Sequence, residues 1–102
     1  MHKLLIVDDE KDVEILYSQR FRRETDSGEF NLHFVFSAEE ALEFMQGLNP
    51  FDLVLIMSDI NMPGMNGLDL LQETKRLFPH LKVMMISAYG DDQEQAKHIH
   101  YY

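Results

Sequence analysis

Four short apolar runs recur along the chain, and each one ends in polar or turn-forming residues. Nearly continuous apolar runs of this length are typical of strands that are buried on both faces of a parallel sheet. The pattern therefore predicts four β-strands. They span Lys3–Val7, Leu32–Phe36, Leu53–Met57 and Lys82–Ile86.

Apolar residues at helical spacing fill the intervals between these runs. After the first run, Val13, Leu16, Tyr17 and Phe21 mark one helix, and Asp26–Gly28 breaks the pattern. Strands that alternate with helices in this way predict an α/β fold with right-handed crossovers and a parallel sheet covered on both faces. Three later helices are predicted over Ala38–Met45, Leu68–Phe78 and Asp92–His100.

Three of the four predicted strands end at a reactive or metal-chelating group. Asp8 and Asp9 come after the first strand, and Ser58 and Asp59 come after the third. Ser87 follows the fourth strand. Ligands of open parallel sheets bind at the carboxyl ends of the strands, so these residues mark the predicted functional edge of the sheet.

The three carboxylates at this edge are candidate metal ligands. If the first and third strands are neighbours, Asp8, Asp9 and Asp59 converge, and unpaired like charges at short range are costly. A divalent cation offsets that repulsion, and a few carboxylates with retained waters suit Mg²⁺. The alternative reading, in which an acid caps a helix or solvates a loop, is preferred for Asp12 and Asp26.

Asp59 is also a candidate nucleophile. A carboxylate that follows a buried strand can form an aspartyl-phosphate, and a neighbouring metal neutralises the incoming phosphoryl oxygens. Ser87 could donate its hydroxyl to the same oxygens. The alternative for Ser87 is an ordinary turn residue after a strand.

Composition and charge narrow the classes of function. The chain has 102 residues, 45% of them hydrophobic, which fits one globular domain. It contains no cysteine, which excludes disulfides and thiol catalysis and favours a cytoplasmic location. A net charge of −9 disfavours direct binding to nucleic acid or an anionic membrane. No apolar run reaches the roughly 18–20 residues of a membrane span.

Three segments together resemble the receiver domain of two-component response regulators. They are Ile6–Glu10, Ser58–Gly67 and Met85–Ala88, and the middle one carries the specific motif Asp-x-x-Met-Pro-x-x-x-Gly. The resemblance runs from Lys3 to about Ala96. It implies a flavodoxin-like, doubly wound sheet with strand order 2-1-3-4-5.

The resemblance also assigns roles to individual residues. It implies that Asp59 accepts a phosphoryl group from a histidine kinase or a phosphotransfer protein. It further implies that Asp9 binds Mg²⁺ directly, that Asp8 supports the ion through water, and that the main-chain carbonyl of Asn61 is another ligand. Ser87 matches the switch residue whose hydroxyl moves toward the phosphoryl group.

The C-terminal part of the chain departs from the family. Family members have a fifth strand, a Lys-Pro pair whose lysine contacts the phosphoryl group, and a fifth helix. Lys97 comes too early and is not followed by proline. We therefore expect a C-terminally incomplete receiver domain over residues 1–102, with strand order 2-1-3-4 and with the fifth strand and helix missing.

This departure has consequences for partners. The fourth strand would become an unpaired edge, and we expect the chain to self-associate through residues 82–102. An output domain or partner protein is expected to bind through the predicted helix Asp92–His100.

Three functions from different classes remain open. The first is a phosphoacceptor module without enzymatic turnover, which the resemblance favours. The second is a Mg²⁺-dependent aspartyl-phosphate hydrolase, but such enzymes carry Asp-x-Asp and here the residue two after Asp59 is Asn61. The third is a receiver-like scaffold that binds proteins independently of phosphorylation. Nucleotide hydrolysis is unsupported because the chain has no Gly-rich phosphate loop.

Overall fold

A five-stranded sheet organises the chain. The computed structural model describes residues 2–49, 52–88 and 97–102, and the strand order is β2-β1-β3-β4-β5. The first four strands are parallel, and β5 runs antiparallel to β4. The predicted flavodoxin-like fold and the order of its first four strands are confirmed. The strands are β1 His2–Val7, β2 Phe30–Val35, β3 Leu53–Asp59, β4 Lys82–Ala88 and β5 Lys97–Tyr101.

The C-terminal residues form a strand, not the predicted helix. The expectations that a fifth strand is missing and that β4 is an edge are therefore wrong. In β5, Ile99 pairs with Ile86 and Tyr101 pairs with Met84. β-Branched and aromatic residues favour a pleated surface, and this pairing supplies apolar partners that an isolated short polar helix lacks. The preceding part of the predicted helix, 92–96, lies outside the described residues.

Within the described residues, four helices connect the parallel strands. The predicted first helix is interrupted at Phe21, whose φ and ψ of −103° and 19° are not helical, so two short helices form. In the part of the chain that the structure describes, no helix has the length and apolar character to cross a membrane. The helices are α1 Val13–Arg20, α2 Arg22–Asp26, α3 Ala38–Gln46 and α4 Gly67–Leu77.

The helices cover the two faces of the sheet unequally. α3 and α4 bury Ala41, Met45 and Leu70 against one face, where the strands contribute the main core. α1 and α2 lie on the other face, and neither contains a buried residue. A smaller cluster forms there around Ile6 and Met57.

Candidate functional site

The ends of β1 and β3 bring three carboxylates together. Asp8 and Asp9 follow β1 directly, and Asp59 is the last residue of β3. Because Val7 pairs with Ser58 in the parallel ladder, the residues after these two positions lie side by side. One carboxylate oxygen from each of Asp8, Asp9 and Asp59 lies within 4.8 Å of the others. The predicted grouping of these three acids is confirmed.

Two of these carboxylates are half-buried, and their ionised forms are disfavoured. Burial raises the pKa of Asp59, and the negative charges of Asp9 and Glu10 add to this effect. Burial likewise raises the pKa of Asp8, with Asp59 among the charges that contribute. Backbone hydrogen bonds act in the opposite direction: the Asn61 N–H donates to Asp59 Oδ1 at 3.2 Å, and the Glu10 N–H donates to Asp8 Oδ1 at 3.0 Å.

The donor set fits a small, hard cation. An octahedral Mg²⁺ with oxygens at 2.0–2.1 Å has neighbouring ligands about 2.9 Å apart and opposite ligands about 4.1 Å apart. Carboxylate oxygens within 4.8 Å of one another match this span when one of them binds through water. Burial is the main cause of the raised pKa values of Asp8 and Asp59, and the neighbouring negative charges, which a cation would offset, raise them further.

Gly67 fixes the backbone under Asp59 from the α4 side. Its N–H donates to the Ile60 carbonyl at 2.9 Å. A Cβ built on Gly67 would overlap the Asp59 carbonyl oxygen and would lie 2.5 Å from Met85 Cε and 2.9 Å from Ile60 Cα. Only a residue without a side chain allows α4 to begin this close to the end of β3.

The loop between β3 and α4 is fixed by a buried side chain within it and by the cap of the helix that follows. Met62 is buried in the core beneath α3 and α4. Gly64 has φ of +74°, a conformation that glycine adopts without strain. At the helix start, Asn66 Oδ1 accepts from the Asp69 N–H at 2.9 Å and Asp69 Oδ2 accepts from the Asn66 N–H at 3.3 Å. This capping box orients the helix whose first residue packs on Asp59.

Ser87 lies in a strand and not in the predicted exit loop. β4 continues to Ala88, so Ser87 follows Ile86, the residue that pairs with Asp59 in the ladder. The Ile60 N–H donates to the Ile86 carbonyl at 3.1 Å, which ties the end of β4 to the site. The backbone therefore places Ser87 near the acidic cluster, and the role of its hydroxyl stays a prediction.

A groove of about 470 Å³ opens onto the site between α1 and the sheet. Tyr17 lines it together with Asp8, Ser58 and Asp59. Burial raises the pKa of the Tyr17 phenol, and the charges of Asp8 and Asp59 raise it further. In the sequence, Tyr17 marks only one position of an apolar helix face. Its polar hydroxyl on that face was the available signal that it borders the site.

The fold and the acidic site define a receiver domain of two-component response regulators. The family model described as "Response regulator receiver domain" matches residues 4–101, and the chain belongs to this family. The match extends through β5, beyond the segments that carry the resemblance in the sequence.

Named relatives agree with this membership. The chain is 32% identical over 95 residues to sporulation initiation phosphotransferase F of Bacillus subtilis (strain 168), covering 87% of this chain and 66% of that protein. Among solved structures, response regulator TrrA from Thermotoga maritima in complex with Mg²⁺-BeF is 26% identical, with a TM-score of 0.74 over 92% of this chain and 76% of that one. TrrA in complex with the histidine kinase ThkA gives 27% identity and a TM-score of 0.74, over 91% and 74% of the two chains.

The chain spans only part of many relatives. It covers 66% of the sporulation protein and between 7% and 18% of three larger curated relatives. The relatives therefore establish the domain, and the activities of the whole proteins bear on this chain only as proposals.

Proposed function

We propose that this chain is the phosphoacceptor module of a two-component pathway, with Asp59 as the acceptor. The observation that carries the proposal is the position of Asp59 at the end of a parallel strand, within 4.8 Å of the oxygens of Asp8 and Asp9. The donor is a phosphohistidine of a histidine kinase or a phosphotransfer protein. The solved complex of the relative TrrA with a histidine kinase supports a donor of this class.

The transfer exchanges one bond to phosphorus for another. An Asp59 carboxylate oxygen attacks phosphorus, a P–O bond forms, and the P–N bond to the donor imidazole breaks. The bonding electrons leave with the imidazole nitrogen, which then takes a proton from water. The Asn61 N–H, which donates to Asp59 Oδ1 at 3.2 Å, holds the carboxylate in place for this attack.

The negative charges of the acidic cluster make a cation necessary for phosphoryl transfer. Asp8 and Asp9 repel the phosphoryl oxygens, as they repel the charge on Asp59 itself. Asp8, Asp9 and Asp59 are the residues that would hold Mg²⁺, with the main-chain carbonyl of Asn61 as a further ligand. When bound, Mg²⁺ neutralises the charge that gathers on the transferred group.

Ser87 is proposed as the switch hydroxyl. It lies in the strand next to β3, one residue beyond the partner of Asp59. A hydroxyl that donates to the phosphoryl group would couple the site to the end of β4 and would shift the chain between two conformations.

The chain acts in this proposal without catalysing turnover. Asn61 stands where an aspartyl-phosphate hydrolase would need a second acid, which argues against rapid hydrolysis.

Protein binding that is independent of phosphorylation is the second candidate. The observation that favours it is the exposed apolar side chains of α1, since Ile15 and Leu16 are each 63% exposed.

Phosphorylation by a small donor tests the acceptor directly. The full chain is incubated with acetyl phosphate and Mg²⁺, and intact mass is measured. We expect the mass of one added phosphoryl group on the parent and on Asp12→Asn, and no addition on Asp59→Asn. Asp12 is the matched control because it is an exposed acid at the start of α1 whose side chain caps nothing. Equal labelling of Asp59→Asn would remove Asp59 from the role of acceptor.

Metal binding is tested separately by titrating Mg²⁺ against thermal stability. A ligand that binds only the folded state raises the melting temperature with concentration. Asp9→Ala should weaken Mg²⁺ binding by about tenfold or more, and Asp12→Ala should leave it unchanged. A parent chain and an Asp9→Ala variant that respond equally would contradict the proposed metal site, even if Asp59 still accepts phosphate.

A further inference from the structure

We propose that the outer edge of β5 pairs with β5 of a second copy of the chain, and that this antiparallel pairing forms a symmetric dimer. β5 is the last strand in the order β2-β1-β3-β4-β5. Within residues 2–49, 52–88 and 97–102, no strand pairs with its outer side. The pairing differs from the expectation stated for the sequence, because β4 is an interior strand and the edge belongs to β5. It does not depend on phosphorylation of Asp59.

Hydrogen bonds to β4 determine which backbone groups of β5 point outward. Val83 and Tyr102 exchange both of their hydrogen bonds, at 3.1 Å and 2.8 Å. In an antiparallel ladder, hydrogen-bonded pairs alternate with non-hydrogen-bonded pairs. His100, which pairs with Met85, therefore points its N–H and C=O toward β4. Those of Ile99 and Tyr101 point to the free edge.

The outward groups are arranged so that two copies complement each other. A two-fold axis that is perpendicular to the sheet and passes beside Ile99 makes two β5 strands antiparallel. Ile99 then lies opposite its own counterpart, and Tyr101 lies opposite the backbone of residue 97 in the second copy. Every outward N–H in this register meets an outward C=O, which gives about six hydrogen bonds.

The side chains beside this edge favour the same register. Ile99 is 47% exposed and Tyr101 is 71% exposed. Their cross-strand partners, Ile86 and Met84, belong to the apolar cluster on the α1 side of the sheet. Cross-strand partners share one face of a sheet, so Ile99 and Tyr101 lie on that side too. A perpendicular two-fold axis keeps the α1 sides of both copies together, and the four apolar side chains then become neighbours.

The opposite edge of the sheet, β2, does not offer the same features. Phe30 packs edge-on against Phe21 of the α1–α2 segment, with ring centroids 5.8 Å apart. His33 stacks on Phe44 of α3 at 4.0 Å. The exposed positions of β2 are Asn31 and His33, which are polar. Helices therefore flank β2 on both sides, and it shows no exposed apolar side chain that a second copy could cover.

Cysteine trapping tests the register. The chain contains no cysteine, so each single substitution introduces the sole thiol. Ile99→Cys should form a disulfide-linked dimer under mild oxidation, because paired Cα atoms at a hydrogen-bonded site lie about 5.5 Å apart. Tyr102→Cys is the matched control. Tyr102 is 48% exposed, but it would lie about 20 Å from its counterpart. Asn31→Cys tests the β2 edge and should remain monomeric.

Sedimentation equilibrium of the unmodified chain and two variants tests the pairing itself. The parent should dimerise reversibly at tens of micromolar. Ile99→Pro removes an outward N–H without touching a hydrogen bond to β4, and it should weaken dimerisation about tenfold or more. Tyr101→Lys places a charge on the edge and should have the same effect, so it decides the matter if the proline variant does not fold.

Three results would overturn the proposal. The first is a parent chain that stays monomeric over the whole concentration range. The second is trapping through Tyr102→Cys or Asn31→Cys that equals trapping through Ile99→Cys. The third is an unchanged dimer in folded Ile99→Pro or Tyr101→Lys.

Discussion

The two faces of the sheet differ in how far their helices bury apolar residues. On the α3–α4 face, Ala38, Ala41 and Leu70 are at most 1% exposed. On the α1–α2 face, no helical residue is buried, and Leu16 is 63% exposed. The strands themselves are apolar toward both sides, since Leu5 faces one cluster and neighbouring residues of β1 face the other.

The difference begins in the helix sequences. α3 places its small and apolar residues at positions such as Ala38, Ala41 and Met45, which fall on one side of a helix. In α1, Ile15 lies about 200° around the helix from both Val13 and Tyr17, so the apolar residues of this helix do not share one side.

The site lies where these faces meet. Gly67 holds Asp59 from the well-packed face, and the groove beside Tyr17 leaves Asp59 accessible from the open face. The α3–α4 face therefore contributes most to the stability of the fold, and the α1–α2 face leaves Asp59 accessible.

The largest expected effect separates two leucines on opposite faces. Leu70→Ala should lower the free energy of unfolding by about 2–5 kcal/mol, because Leu70 is only 1% exposed and its truncation leaves a cavity in the core. Leu16→Ala should change it by no more than about 0.5 kcal/mol, because that side chain is mostly in water. Urea denaturation of both variants measures the difference. Equal losses would show that the two faces contribute equally.

A smaller effect is expected where the well-packed face supports the site. Gly67→Ala should cost about 1–3 kcal/mol, because the added methyl group collides with the backbone of Asp59 and Ile60. It should also weaken Mg²⁺ binding, since the collision displaces a ligand-bearing residue. Gly47→Ala is the matched control: its φ is −94°, and nothing lies within 4 Å of the added Cβ. If both substitutions had the same effect on stability and Mg²⁺ binding, Gly67 would not be a positioning residue.

The sequence predicted the grouping of the three carboxylates because the ends of the strands determine it. Once β1 and β3 are recognised as neighbouring parallel strands, Asp8, Asp9 and Asp59 must meet at one edge. The cap of α3 also depends on sequence neighbours, since the Ser37 hydroxyl accepts from the Glu40 N–H at 3.1 Å.

Features that depend on distant pairing were not predicted. Residues 97–101 are few and mixed in polarity, so their own pattern does not distinguish a polar helix from an edge strand. Their pairing with β4 decides between the two. The contact of Gly67 with Asp59 is hidden for the same reason, because a glycine in a motif does not reveal which backbone it approaches.

The smallest expected effect concerns the acidic cluster, where Asp8 and Asp59 are half-buried beside other negative charges. The raised pKa of Asp59 means that the folded chain binds its proton more tightly than the unfolded chain does. The free energy of unfolding therefore falls as the pH rises from 3.8, the ordinary pKa of the Asp59 carboxyl, through the higher pKa of the folded state. Asp59→Asn removes this penalty and keeps an oxygen that can accept from the Asn61 N–H.

Without Mg²⁺ at pH 7, Asp59→Asn should be more stable than the parent by at most about 1 kcal/mol, because solvent screens a half-exposed carboxylate. The advantage should disappear below about pH 4, where the parent carboxyl is protonated in both states. Thermal melts of the two chains across this range measure it, with Asp12→Asn as the control for loss of one exposed charge. An advantage that persists unchanged at low pH would mean that packing, and not the charge of Asp59, causes the difference in stability between the two chains. Saturating Mg²⁺ should reduce or reverse the order at pH 7, since the ion stabilises the parent through the same carboxylate that the variant lacks.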